Sequence, residues 1–276
     1  MLTILVPTDF SATAINSGKY AANLAKNIGA HKIVLYNAYS MPLATEMSWA
    51  FLQTEEVQKA SEESLATLKA DMQSWTDNSI EIDAISDFGF LQERISDIAT
   101  EVKADLIVMG ITGGGKLEEV FIGSNTTHII NHVKVPVLIV PPDASWKPVA
   151  NVGWACDYKD VLKTTPAEAI KAVLEKLHAK LIVGHNDPNP GAFNPEYYHN
   201  NALVGELFRK VQPEFIEVAG EKFTDAMDHF IVEQKIDMML VIPKKHGWLE
   251  SIFRRSHTTR LAFHTHIPLL CIQALS

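Results

Sequence analysis

The sequence predicts an α/β protein made of two copies of one parallel-sheet domain. Three observations predict it. Short apolar runs alternate with amphipathic stretches along the first half. The second half repeats the order of the first, part of it without a gap. The length of 276 residues suits two ordinary domains, and 47% hydrophobic with 21% charged residues is enough to build two cores.

The elements follow in order. Thr3 to Val6 reads as a short apolar strand. Ala12 to Ile28 reads as a helix whose stripe of Ala14, Gly18, Ala21, Ala25 and Ile28 is small enough to lie close to a sheet. Ser11 is its N-cap and Gly29 its C-cap. Lys32 to Asn37 is the second strand. A loop runs to about Gln53, and a polar helix extends from about Glu55 to Trp75. Ile80 to Ile85 is the third strand. The next helix carries Leu91, Ile95, Ile98 and Val102 on one face. Leu106 to Met109 is a buried strand, and Val137 to Val140 is the last of this half. Strands alternating with helices imply right-handed crossovers and a parallel sheet covered on both faces. The prolines between Pro141 and Pro148 stop the last strand and read as a linker, so the domains are 1–142 and 149–276.

The second half repeats this plan. Residues 91–140 align with 223–272 at a constant offset. Leu91, Ile95 and Ile98 fall on Phe223, Met227 and Phe230, and Asp105 falls on Asp237. Val120-Phe121 falls on Ile252-Phe253, Ser124 on Ser256, Thr126-Thr127 on Thr258-Thr259, and Val135-Pro136-Val137 on Ile267-Pro268-Leu269. With a different offset, Asp9 corresponds to Asp157. The helix after Asp157 carries its own start signal: Thr165 as N-cap, Pro166 at the first helical position and Glu168 closing a capping box. The repeat is long, which makes a tandem of domains rather than a solenoid.

Charge and cysteine usage narrow the function classes. The formal net charge is −9, with a sequence pI of about 5.6, and this disfavours nucleic-acid backbones. Lys244, Lys245, Arg254, Arg255 and Arg260 lie around one loop and suit a small anion, or simply a solvated basic loop. Two cysteines, Cys156 and Cys271, make no disulfide framework, and the expected compartment is a reducing cytosol. The first residues lack the pattern of a leader, and no apolar run reaches the roughly 18 residues of a bilayer span. The expectation is a cytoplasmic protein with no membrane partner.

The informative stretch is Met109 to Thr127, MGITGGGKLEEVFIGSNTT, after a buried strand and before a short helix. Gly113, Gly114 and Gly115 form a run without side chains, whose backbone can turn tightly and bring N–H groups to a phosphate. Ser124 and Asn125 sit where the next helix begins, and its free N–H groups and dipole favour an anion. This is not a P-loop, because no Gly-Lys-Ser or Gly-Lys-Thr follows at the needed spacing. Nor is it a dinucleotide fingerprint, because Gly-x-Gly-x-x-Gly does not open a helix after the first strand. Local spacing alone leaves a flexible glycine-rich turn open as the alternative.

Gly110, Gly113, Gly123 and Ser124 match, residue for residue, the Gly-x2-Gly-x9-Gly-Ser signature of the ATP-binding universal stress proteins. The opening Val6-Pro7-Thr8-Asp9-Phe10-Ser11 and the ending Val135-Pro136-Val137-Leu138-Ile139-Val140 also resemble that family, across the first half and more weakly across the second. The resemblance implies two tandem Rossmann-like domains of the adenine nucleotide alpha hydrolase type. Each would be a five-stranded parallel sheet in the order 3-2-1-4-5 with helices on both faces. It implies an adenine nucleotide, ATP or AMP or a relative, with magnesium as a companion ion. Pro7, Thr8 and Asp9 would lie at the base and ribose, with Asp9 alternatively only a helix N-terminal charge. Tyr36, Asn37 and Ala38 would line the base pocket, and Met109 would pack on the base. Gly110, Gly113 and Gly114 would meet ribose and phosphate, and Gly123, Ser124 and Asn125 the phosphates. It further implies that the strands Val137 to Val140 and Leu269 to Ile272 pair within the chain, with a homodimer still compatible.

The second half departs from the signature. Ile242, Lys245 and Arg255 stand where the first half has Gly110, Gly113 and Gly123, so no matching ATP site is expected there. His257, His264 and His266 lack a carboxylate or cysteine at ligand spacing, and no metal site is expected. Cys156 beside Asp157 reads as a buried, inert thiol. The apolar stretch Thr45 to Gln53 could be a lid, a domain contact or core. Three functions remain open: a nucleotide-responsive regulator of the stress response, a slow ATPase with Glu118 or Glu119 near magnesium, and a scaffold holding an apolar ligand in the second half.

Overall fold

The computed structural model describes residues 1–40, 50–111, 124–187, 194–219, 223–243 and 267–275, with backbone alone at 50–53, 124–125, 186–187, 219 and 223–225. Two compact units divide the chain between Trp146 and Lys147.

In the first unit, β1 (Thr3–Pro7) leads into α1 (Ala12–Ile28), β2 (Lys32–Tyr39), α2 (Ala50–Trp75), β3 (Glu81–Phe88), α3 (Leu91–Glu101), β4 (Leu106–Gly110), α4 (Ser124–His132) and β5 (Val137–Val140). The strands lie in the order β3-β2-β1-β4-β5, and the registered pairs run parallel. β1, β4 and β5 are buried at every residue, as expected of parallel strands covered on both sides.

The ends of α1 are held as the sequence implies. Ser11 Oγ accepts from Ala14 N at 3.2 Å. Gly29 adopts φ 67°, and the next amide, Ala30 N, returns to Ala25 O at 2.9 Å. Ala14, Gly18, Ala21 and Ala25 are all buried, while Ile28 is only partly so. The small stripe does more than approach the sheet. A Cβ on Gly18 would lie 3.4 Å from Met72 Cε and 3.7 Å from the Trp75 ring, so at this point α1 packs against α2.

The proline-rich segment after β5 is docked rather than free. Asn16 Nδ2 donates to Pro141 O at 3.2 Å and to Ala144 O at 3.0 Å. Trp146 meets Tyr20 edge to face, with centroids 5.0 Å apart.

The second unit runs β6 (Asn151–Ala155), α5 (Val161–Thr164), α6 (Ala167–Leu177), β7 (Lys180–Asp187), α7 (Pro195–Leu207), β8 (Glu214–Ala219), α8 (Phe223–Glu233), β9 (Met238–Val241) and β10 (Leu269–Cys271). Its strands lie in the order β8-β7-β6-β9-β10, again with parallel registers.

The expected start of α6 is corrected. Thr165 is the C-cap of the short α5, and its N–H donates to Val161 O at 3.1 Å. Pro166 takes the N-cap position of α6 with no side-chain cap bond, and Glu168 pairs with Lys171 at 2.8 Å instead of closing a capping box.

Matched positions in the two units solve packing differently. Phe230 stands where the first unit has Ile98. Its larger ring is accommodated by Gly153 and Gly184, whose counterparts are Leu5 and Tyr36. A Cβ on Gly153 would lie 2.9 Å from Phe230 Cε1, and one on Gly184 3.0 Å from the same ring. The Phe230 ring thus occupies part of the space that side chains at the two glycine positions would take, as a close-packed core requires.

Among the described residues, no helix is long and apolar enough to cross a membrane.

Candidate functional site

A cleft of about 210 Å³ opens at the carboxyl ends of the strands of the first unit. Pro7, Thr8 and Asp9 come from the end of β1, and Ser11, Thr13 and Ala14 from the start of α1. Ala38 and Ser40 come from the end of β2, Gly89, Phe90 and Leu91 from the turn into α3, and Met109 and Gly110 from the end of β4.

The turn from β1 into α1 is fastened bond by bond. Thr8 N donates to Tyr36 O at 2.8 Å, and Thr8 Oγ1 accepts from Phe10 N at 3.0 Å. Asp9 Oδ1 accepts from Ser11 N at 3.0 Å, and Phe10 adopts φ 62°. Short side chains that bond the amide two residues on make such turns without help from a sheet. Asp9 is left exposed at the mouth of the cleft, beside the amino end of α1.

The structure separates the three residues at the end of β2. Ala38 lines the cleft. Tyr36 does not: its side chain is wholly buried, and its hydroxyl donates to Asp87 Oδ2 at 3.2 Å. Burial foremost, and then the negative Asp87, raises the pKa of this phenol well above the ordinary range. Asn37 is also turned inward. Its Nδ2 donates to Thr8 O at 2.7 Å, and its Oδ1 accepts from Ser61 Oγ at 2.7 Å. Ser61 Oγ in turn meets Ser86 Oγ at 2.7 Å, so α2, β2 and β3 are tied to the floor of the cleft by one chain of polar side chains, buried at Asn37 and Ser61 and half-buried at Ser86.

Gly110 has a packing reason of its own. A Cβ there would lie 2.8 Å from both Thr13 O and Thr13 Cγ2, so the missing side chain admits the first turn of α1 against β4. Gly113, Gly114 and Gly123 lie outside the described residues, as do Glu118 and Glu119. Ser124 and Asn125 open α4, which puts the amino end of a helix after the glycine-rich stretch. Thr126, in the same turn, is a residue that sequence reasoning passed over. Among the described residues its buried Oγ1 has no hydrogen-bond partner, an arrangement that costs energy unless another group, water or a ligand meets it. The available signal was its place in the first turn of a helix that follows a glycine loop.

At the matching strand ends of the second unit, aromatic side chains cluster. Asp157 Oδ1 accepts from Lys159 N at 3.1 Å, and Tyr158 adopts φ 57°, repeating Asp9 and Phe10. But Tyr158 turns inward. Its hydroxyl donates to Asn201 Oδ1, and its ring lies 4.5 Å from His185 and 6.2 Å from Tyr197, centroid to centroid. His185 takes the place of Asn37, with Nδ1 3.0 Å from Cys156 O. The basic cluster Lys244, Lys245, Arg254, Arg255 and Arg260, and His257, His264 and His266, lie outside the described residues, as does most of Thr45 to Gln53. Among the described residues, no three His, Cys, Asp or Glu side chains converge as a metal site.

The sequence profile of the universal stress protein family matches residues 1–141, just over half of the chain. The chain belongs to the universal stress protein family. Universal stress protein MJ0531 of Methanocaldococcus jannaschii is 32% identical over 140 residues, covering 50% of this chain and 80% of the relative. A universal stress protein of Synechocystis, Sll1654, is 33% identical over 140 residues, covering 50% of this chain and 85% of the relative. The crystal structure of a universal stress protein from Archaeoglobus fulgidus covers 98% of both chains, with a TM-score of 0.73 at 17% identity. That likeness shows a shared fold along nearly the whole of this chain.

Proposed function

We propose that the first unit binds an adenine nucleotide and that this universal stress protein is a nucleotide-responsive regulator. The observation that carries this reading is the cleft at the carboxyl ends of β1, β2 and β4, with the Asp9 carboxylate at its mouth and Ala38, Met109 and Gly110 on its walls. In an α/β sheet of order 3-2-1-4-5, crossovers leave β1 and β4 in opposite directions, and ligands bind at that switch point. The cleft of about 210 Å³ is smaller than the roughly 300 Å³ at which full small-molecule pockets begin. It therefore takes a base and ribose, with the phosphates reaching from Gly110 towards the start of α4. In this reading Gly113, Gly114, Gly123, Ser124 and Asn125 hold the phosphates, which suits the amino end of a helix. ATP and AMP are the first candidates, with magnesium as a companion of the triphosphate.

The second unit is read as a degenerate copy. The repeated turns at Asp9 and Asp157 support a common origin. The inward Tyr158 and the loss of the glycines at Ile242, Lys245 and Arg255 support the absence of a matching nucleotide site. Two buried cysteines outside any disulfide suit a reducing compartment such as the cytosol.

Isothermal titration of the full chain with ATP and AMP tests the reading. Binding in the micromolar range is expected, weakened roughly tenfold or more by Asp9→Ala and by Gly113→Val, each of which removes a charged or backbone contact. No binding by the native chain would overturn it. Phosphate release from bound ATP would favour the enzyme over the regulator.

A further inference from the structure

Phe90 is 58% exposed, yet it lines the cleft beside Leu91, Ala38 and Met109. Two ordinary reasons for a phenylalanine fail here. It is not core, since most of its surface meets solvent. It does not serve the helix either. Phe90 occupies the N-cap of α3, where Ser, Thr, Asp or Asn would bond a free amide, and it makes no side-chain cap bond. The backbone around it is firmly held. Gly89 adopts φ 139°, a conformation open chiefly to glycine, and its N–H donates to Tyr39 O at 2.9 Å. Phe90 O accepts from Glu93 N at 3.0 Å and from Arg94 N at 3.2 Å. Arg94 Nε is in turn fixed on Asp87 Oδ2 at 2.8 Å. The turn thus carries an exposed aromatic ring on a rigid mount at the rim of an α/β cleft.

We propose that Phe90 is the stacking wall of the cleft and selects ligands that carry a flat aromatic base. The inference rests on the nucleotide reading above and adds to it the residue that recognises the base. An aromatic ring stacks on any base without hydrogen bonds, so Phe90 supplies affinity for a nucleoside, whereas Asp9 and the glycine loop attend to ribose and phosphate.

Isothermal titration of the full chain with adenosine, ATP and inorganic tripolyphosphate, for the native protein, Phe90→Ala and Phe90→Trp, tests it. Phe90→Ala is expected to weaken adenosine and ATP roughly tenfold and leave tripolyphosphate unchanged, as loss of a stacking ring does. Phe90→Trp is expected to keep adenosine affinity within about threefold of native, since any large ring can stack. Phe90→Ala is checked for a native circular dichroism spectrum and melting curve, and Phe90→Trp reports on the site independently. If the native chain binds adenosine and Phe90→Ala binds it equally well, the stacking role is wrong while the nucleotide reading survives. If Phe90→Ala weakens tripolyphosphate as much as adenosine, the residue shapes the cleft and does not recognise the base. If the native chain binds neither adenosine nor ATP, the nucleotide reading itself fails.

Discussion

The Asp105 carboxylate accepts the backbone N–H of Thr3 at 2.8 Å, and the Asp105 N–H returns to Thr3 O at 2.9 Å. Two residues far apart in the chain thereby clip the entry of β4 to the start of β1. Asp237 does the same in the second unit. It accepts from Ala150 N at 2.9 Å and Asn151 N at 3.1 Å, while its own N–H donates to Asn151 O at 2.9 Å. A conspicuous carboxylate at the amino end of a parallel strand therefore serves the sheet, on the opposite side from the ligand cleft.

Asp237 gives a pH dependence. Burial opposes its charge, but hydrogen bonds from Lys147 and from the Ala150 and Asn151 amides outweigh that and hold the carboxyl below its usual range. A carboxylate depressed in the folded state stabilises the fold above its unfolded pKa, which is about 3.9. The contribution is lost as pH falls through the lower folded pKa. Asp237→Ala is expected to cost about 1–3 kcal/mol at neutral pH, since two amides lose their acceptor. In urea unfolding measured from pH 6 down to pH 2, the gap between native and variant should narrow only at the acid end. A gap constant across that range would count against the assignment.

Asn37 and His185 perform one task, each donating to the carbonyl at the end of the first strand of its unit. Asn37→Ala should cost about 1–3 kcal/mol, because Thr8 O and Ser61 lose a buried partner. Asn37→His should recover part of that loss, since an imidazole already makes the bond on Cys156 O. Equilibrium unfolding of both variants decides it, and a histidine variant no better than alanine would refute the equivalence.

Gly110→Ala should destabilise the first unit by about 1–3 kcal/mol, as overpacked cores are destabilised. The added methyl would meet the Thr13 carbonyl, which cannot swing aside as a side-chain tip can. Calorimetric melting of the variant should show a clear drop in Tm. An unchanged Tm would mean that α1 yields readily.

Both cysteines are buried, and burial pushes the Cys271 thiol up to about 12. The native chain should react slowly with a disulfide reagent such as dithionitrobenzoate, and the unfolded chain should release two equivalents at once. A fast-reacting thiol in the native protein would contradict the burial of Cys156 or Cys271.

The sequence was most legible where chemistry is local. Ser11 and Gly29 mark both ends of α1 because a cap acts on amides within one turn. The duplication of the strand-helix succession was legible through the repeat, since aspartates 105 and 237 and their flanking apolar runs recur together, whereas the order of strands across the sheet came from the family resemblance. The start of α6 was not legible. Thr165, Pro166 and Glu168 carry the right cap residues, but Lys171 takes the glutamate and the preceding turn takes Thr165, and no local rule foresees either competitor. At the cleft, Asp9 was placed by the family resemblance, after the first strand and before α1. The division of labour along β2 was not legible. Ala38 lines the cleft while Tyr36 and Asn37 turn to Asp87 and Ser61, partners set by how α2 and β3 pack. Phe90 was missed because it sits in a turn without a motif, where only exposure and position give it meaning.

A crystal structure of the full chain grown with excess Mg-ATP tests the central claim most directly. The account predicts one nucleotide in the first unit, its base between Phe90 and Met109, its ribose beside Asp9 and its phosphates at the start of α4. Clear density for the nucleotide elsewhere, with that cleft holding only water, would contradict it.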